Sequence, residues 1–214
     1  MKLRWLGHAS WKIKTKKGTV IYIDPYAGEY DEKADIILVS HHHHDHAGAE
    51  QIRQARADET KVFTTRIYAA QIDATPMETG QTVEVKDVSI QAVPAYNVRR
   101  FRNPGEPYHP KDEALGFLLL IEDKVVYFSG DTDMIPEMEE LGQVDLALLP
   151  VGGTYTMDAK EAAQAAEKIG PRRAIPMHYG KIVGNIEDAE YFQELAEKEG
   201  VKVRIMKEGE ELEF

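Results

Sequence analysis

Short apolar runs, some alternating with polar residues and some unbroken, recur along the whole chain between turn residues. Ser10 to Lys14 alternates, Lys17-Gly18 turns the chain, and Val20 to Ile23 brings it back, which is the pattern of a hairpin. Asp35 to Val39 is apolar without alternation, as expected of a strand covered on both faces. Ala47 to Ala57 reads as a helix, Lys61 to Thr64 as a strand, and the stretch near Ile67 to Ile72 as a second short helix. Val83, Val85, Val88, Ile90 and Ala92 mark a hairpin about Lys86-Asp87.

The second half has the same texture. Phe117 to Ile121 and Val125 to Phe128 flank the turn Glu122-Asp123-Lys124, and Leu146 to Val151 is another buried strand. Asp158 is placed to cap a helix with Ala162, Ala163, Ala166 and Ile169 on one face, ended by Gly170-Pro171. A strand from Ala174 to Met177, an amphipathic helix through Ala189, Phe192, Leu195 and Ala196 to Gly200, and a strand from Val201 to Met206 complete the chain. The expected class is α/β (α+β), with two sheets face to face and helices outside. No linker, repeat or boundary interrupts it, so residues 1–214 are expected to form one domain.

Composition narrows the chemistry. Cysteine is absent, which excludes disulfides and thiolate ligands and leaves His, Asp and Glu to hold any metal. A net charge of −11 argues against a nucleic-acid partner bound by bulk charge. The longest apolar run is too short to span a bilayer, so no membrane partner is expected. Without a signal-peptide pattern after Met1, the expected address is cytoplasmic.

Five of the eight histidines lie between residues 41 and 46, directly after Ile36 to Val39. With alternate positions free, this segment reads His41-x-His43-x-Asp45-His46. Imidazole and carboxylate groups so close together suit zinc, and also manganese or iron. Two further strands end in potential ligands. Asp131 follows Phe128-Ser129-Gly130, where glycine permits a sharp turn, and His178 follows Ile175-Pro176-Met177. Core packing does not require three apolar strands to end this way.

These motifs together resemble the metallo-β-lactamase-fold hydrolases. Gly7-His8-Ala9 and Asp24-Pro25 further resemble the branch containing the ascorbate 6-phosphate lactonase-like hydrolases. The resemblance implies an αββα sandwich with two divalent metal ions, zinc foremost, at one edge. His41 and His43 would hold the first ion, Asp45, His46 and His178 the second, and Asp131 would bridge them. His42 and His44 would point away. One departure stands out. The family's third histidine for the first ion is expected in a loop resembled by Val93 to Asn97, but Asn97 stands there, and His109 is the remaining candidate.

The implied activity is hydrolysis of an ester, lactone or phosphodiester by hydroxide held between two metals about 3.5–4 Å apart. Asp45 would orient the hydroxide, Asp131 would hold the metal pair, and His8 would sit at the site edge as a proton-transfer or supporting group. The loop from Asn97 to Lys111 concentrates Arg99, Arg100, Arg102 and Lys111 in an acidic chain. Arg99 and Arg100 are the candidates for binding a phosphorylated or carboxylated small-molecule substrate. Tyr155, after Gly152-Gly153, is a further pocket candidate. Competing readings are a non-catalytic metal- or ligand-binding module and a nuclease. The short stretch between Asp131 and His178 leaves no room for an inserted nucleic-acid domain.

Overall fold

The computed structural model describes residues 1–214. Six strands come first: β1 (Lys2–Gly7), β2 (Ser10–Lys14), β3 (Val20–Ile23), β4 (Ile36–Leu38), β5 (Lys61–Thr65) and β6 (Thr75–Met77). The first three pair antiparallel and the rest continue in parallel. A hairpin of β7 (Thr82–Val85) and β8 (Val88–Ala95) opens the second sheet, and a two-stranded ribbon, β9 (Phe101–Asn103) with β10 (Glu106–Pro107), stands apart from both sheets. Next come β11 (Ala114–Ile121), β12 (Lys124–Phe128), β13 (Leu146–Pro150) and β14 (Arg173–Met177), with β12, β13 and β14 parallel. The last strand, β15 (Glu211–Glu213), returns to pair with β1. The sheets therefore run β15-β1-β2-β3-β4-β5-β6 and β14-β13-β12-β11-β8-β7.

Side-chain alternation sorts the layers. Ile21, Ile23, Ile36 and Leu38 join Ile90, Ala92, Phe117, Leu119 and Phe128 in the central core between the sheets. Val20, Tyr22 and Ile37 point the other way, under Ile52 and Ala55 of helix α1 (Ala49–Ala55) and Tyr68 of α2 (Arg66–Ala69). This two-sided burial is why Asp35 to Val39 shows no alternation. Helices α3 (Ala159–Ile169) and α4 (Ile186–Lys198) pack beside β13 and β14 on the second sheet. The result is the αββα sandwich. Asp158 caps α3 by accepting from Glu161 N, and Gly170 ends it in the left-handed conformation at φ 61°.

Two expectations fail locally. Val201 to Met206 forms no strand; it touches β14 by a single bridge, Ala174 to Val203. The returning edge is β15 instead, and its Glu-Leu-Glu sequence carries little β-propensity. Long-range pairing supplies what propensity lacks: Lys2 Nζ reaches Glu211 Oε1 at 2.8 Å, and Phe214 N donates to Met1 O. The second early helix is also shorter than expected, because the chain leaves it after Ala69. No helix is long and apolar enough to cross a membrane.

Candidate metal centre

Loops at the ends of β4, β8, β12 and β14, with the turn between β1 and β2, converge on one group of side chains. Hydrogen bonds fix which nitrogen each ring presents. His41 Nδ1 lies 2.9 Å from Ser40 Oγ, which donates to Asp24 Oδ2 at 2.6 Å. The hydroxyl proton is therefore committed to Asp24, His41 carries hydrogen on Nδ1, and its Nε2 is a free donor pair. His109 Nδ1 lies 2.8 Å from Asn97 Oδ1, so its Nε2 is likewise free. His43 Nδ1 sits 3.0 Å from His41 Nε2 and 3.2 Å from His109 Nε2. Nitrogens bound tetrahedrally to zinc at about 2.0–2.1 Å stand roughly 3.3 Å apart. His43 already has nearly that spacing to both other rings, and all three nitrogens lie within 4.8 Å of one another.

A second group comprises His8, Asp45, His46 and His178, whose ligand atoms lie within 4.8 Å of one another. His46 Nδ1 is 2.6 Å from Asp24 Oδ2, which turns Nε2 inward. His8 Nε2 is 3.0 Å from Asp45 Oδ2, and the His8 carbonyl accepts from both His178 N and Trp5 Nε1. Both His8 and His178 have positive φ, 52° and 59°, so this turn and this strand end hold each other in a costly backbone conformation.

Asp131 lies between the groups. Its Oδ1 is 3.2 Å from His46 Nε2, and its Oδ2 is 3.1 Å from His178 Nε2 and 3.4 Å from His109 Nε2. Gly130 makes this placement possible. It takes φ 63°, and a Cβ there would meet Leu115 O at 2.5 Å. His46 Nε2, His178 Nε2 and Asp131 Oδ1 are buried without hydrogen-bond partners. Buried polar atoms so rarely lack partners that this convergence fits cations. The donors are nitrogens and carboxylate oxygens, a set suited to divalent metal.

Burial governs the protonation of the cluster. It pushes His8 and His109 down to about 4, only partly opposed by Asp45 and Asp131 respectively, and holds His41 well below its usual range. His46 goes the other way: Asp131 and Asp24 outweigh its burial and raise it well above the usual value. Burial would raise Asp131 and Asp45 too, but the facing histidines keep both carboxyls low. A depressed ring is stabilising above the unfolded value near 6.5, and that contribution is lost as pH falls toward 4. His46 acts in reverse, contributing below 6.5 and losing that contribution as pH rises through its folded value. Depressed rings outnumber it. Metal-stripped protein should therefore lose stability between pH 6.5 and 4.5, by about 1.4 kcal/mol per pH unit for each of His8 and His109. Urea melts at several pH values would check this, and a flat or rising profile would contradict it.

A cavity of about 250 Å³ opens onto these groups, lined by His43, His44, Asp45, Arg102, Tyr108, His109, Asp131, Tyr155 and Ile182. Tyr155 is thus at the site, whereas Arg99 and Arg100 are not part of the lining. Arg100 is held by carboxylates: its Nη1 lies 2.6 Å from Asp133 Oδ1 and 2.5 Å from Glu161 Oε2, and its Nη2 lies 3.4 Å from Asp158 Oδ2. Arg99 is exposed, with Glu161 3.9 Å away. Acids after Asp131 and at the start of α3 hold Arg100, and neither arginine lines this cavity. His42 and His44 are exposed, although His44 edges the cavity.

Sequence reasoning missed Asp24, which locks His46 directly and His41 through Ser40. Its only signal was the Asp24-Pro25 pair. Asn97 also takes an unforeseen part, as the partner that orients His109.

Comparison with known proteins bears on the family and the fold. The family profile described as a β-lactamase superfamily domain matches residues 2–178. A UPF0173 metal-dependent hydrolase of Pyrococcus abyssi is 36% identical over 233 residues, covering 100% of both chains. Its counterpart in Methanopyrus kandleri is 33% identical over 231 residues, again covering 100% of both. A crystal structure from Parabacteroides distasonis superposes with a TM-score of 0.87 at 30% identity, covering 97% of this chain and 93% of that one. Igni18, a metallo hydrolase of Ignicoccus hospitalis, gives 0.79 at 27% identity over 100% and 98%.

Proposed function

The chain belongs to the UPF0173 metal-dependent hydrolases of the β-lactamase superfamily, and we propose that it cleaves an ester, lactone or phosphodiester bond of a small molecule at a pair of divalent ions. His41 Nε2, His43 Nδ1 and His109 Nε2 would hold one ion. Asp45, His46 and His178 would hold the other, with Asp131 shared. Zinc suits this donor set best, and manganese or iron also accept it. When bound, such ions polarise a carbonyl or phosphoryl oxygen and lower the pKa of water.

The protein's own groups do the rest. Asp45, fixed through Oδ2 by His8, orients the attacking water by accepting its hydrogen bond. His8 is neutral at pH 7, since burial lowers it to about 4, so it donates to Asp45 without adding charge. Asp24 and Asn97 keep the histidine tautomers that present free nitrogens. A lactone is among the candidate bonds because Gly7-His8-Ala9 and Asp24-Pro25 resemble the ascorbate 6-phosphate lactonase-like branch.

The observation that carries this reading is the position of Asp131, within 3.4 Å of ring nitrogens from both groups. Metal content of tag-free protein tests it. About two ions per chain are expected, falling to about one in His109→Ala, with hydrolysis of 4-nitrophenyl esters or bis(4-nitrophenyl) phosphate by the wild type alone. One ion or none in the wild type would overturn the two-metal reading.

A further inference from the structure

The loop that supplies His109 also supplies one cation with no carboxylate partner. Lys111 pairs with Glu137 at 3.0 Å, Arg100 is held by three carboxylates, and Arg99 lies 3.9 Å from Glu161. Glu106, the nearest acid in sequence to Arg102, accepts instead from Asn103 Nδ2 at 2.8 Å. Arg102, on β9 of the isolated ribbon, has no carboxylate within 4.0 Å and lines the cavity over the metal centre. Its guanidinium stands 5.7 Å over the Tyr108 ring, and Tyr108 meets Tyr155 edge-on at 4.9 Å. An aromatic pair thus braces the arginine at the cavity.

In a chain of net charge −11, acids were available to neutralise this position, and the neighbouring cations did find partners. We propose that Arg102 selects the substrate by binding a carboxylate or phosphate carried on its far end, with Tyr108, Tyr155 and Ile182 against the organic body between. The substrate class is a small organic anion, because about 250 Å³ falls below the roughly 300–1,000 Å³ of sites for drug-sized ligands. A guanidinium pairs with either anion through two parallel hydrogen bonds, which an ammonium does not reproduce. This assignment rests on the hydrolase reading for the identity of the scissile bond, and its test separates the two.

Zinc-loaded wild type, Arg102→Ala and Arg102→Lys are compared on the mono-4-nitrophenyl ester of glutaric acid and on 4-nitrophenyl butyrate. The wild type should prefer the anionic ester. Arg102→Ala should reduce that preference in kcat/KM by about ten- to a hundredfold, through KM, with Arg102→Lys in between. An unchanged preference overturns the proposal. Calorimetric binding of glutarate, 3-phosphopropionate and butyrate to the same proteins needs no turnover. If the wild type cleaves neither ester, the hydrolase reading is in difficulty, and calorimetry alone decides the role of Arg102. A preference for glutarate or 3-phosphopropionate over butyrate that is lost in Arg102→Ala supports it, the anion losing more affinity being the favoured head group; equal binding of all three ligands, or a preference that Arg102→Ala keeps, sinks it.

Discussion

Asp131→Asn should leave less than one metal ion per chain and lower turnover of any activated ester by about 10²–10³-fold or more, at least the scale of deleting one stabilising hydrogen-bond donor at a reaction centre. The substitution preserves shape and removes charge. Asp131 is the only carboxylate within 3.4 Å of rings from both donor groups, His109 on one side and His46 with His178 on the other. An amide there would turn either its hydrogens or a weaker oxygen toward each group, so neither ion would keep its full set of donors. Asp45→Asn should be milder on the first group, since Asp45 belongs to the second. Elemental analysis beside circular dichroism separates metal loss from misfolding. Two ions and full turnover in folded Asp131→Asn would refute the shared position.

Sequence made His41, His43, Asp45 and His46 legible, although they serve both donor groups, because all four lie in one loop. A ligand motif confined to one loop needs no tertiary knowledge, and the strand before it declares itself by an unbroken apolar run. Asp131 and His178 were legible for a similar reason, each closing an apolar strand. His109 was reached only by elimination. The structure explains why Asn97 could stand where a histidine was expected. Asn97 N donates to His109 O, and Asn97 Oδ1 accepts from His109 N at 2.9 Å, so the loop folds back and presents the later ring. Residues that act through distant partners left no local trace. Asp24 orients rings 17 to 22 positions later, and no periodicity marks it. For the arginines the limit runs in reverse: clustering was visible, but which of them the acids of another segment would neutralise was not. At the C-terminus, an apolar stretch looked more like a strand than the acidic one that pairs with β1.

Arg100→Ala should destabilise the protein by about 3–5 kcal/mol, the cost of leaving buried charges without their partner. Asp133 is completely buried and Glu161 nearly so. Asp133 Oδ2 accepts from the successive amides of Val98, Arg99 and Arg100 at 2.8, 2.7 and 3.2 Å, while Oδ1 faces the Arg100 guanidinium. Glu161 spends its other oxygen on Met134 N, and Arg100 Nε donates to Gly153 O at 3.0 Å. One guanidinium therefore ties together the loop before His109, the loop after Asp131 and the loop bearing Tyr155. Its removal should be felt at the metal centre, because Asn97, three residues earlier, holds His109 and also donates to Tyr155 O at 3.0 Å. Metal affinity at the His41, His43 and His109 group should fall about 10–100-fold, as for other groups that orient a ligand. Arg100→Met should not rescue stability, since it fills space but leaves Asp133 and Glu161 charged. Adding Glu161→Gln to Arg100→Ala should recover part of the loss by removing one stranded carboxylate. Denaturant melts of these variants and metal titrations of the folded ones measure both effects. A melting midpoint unmoved by Arg100→Ala would mean that water, rather than this guanidinium, balances the two acids.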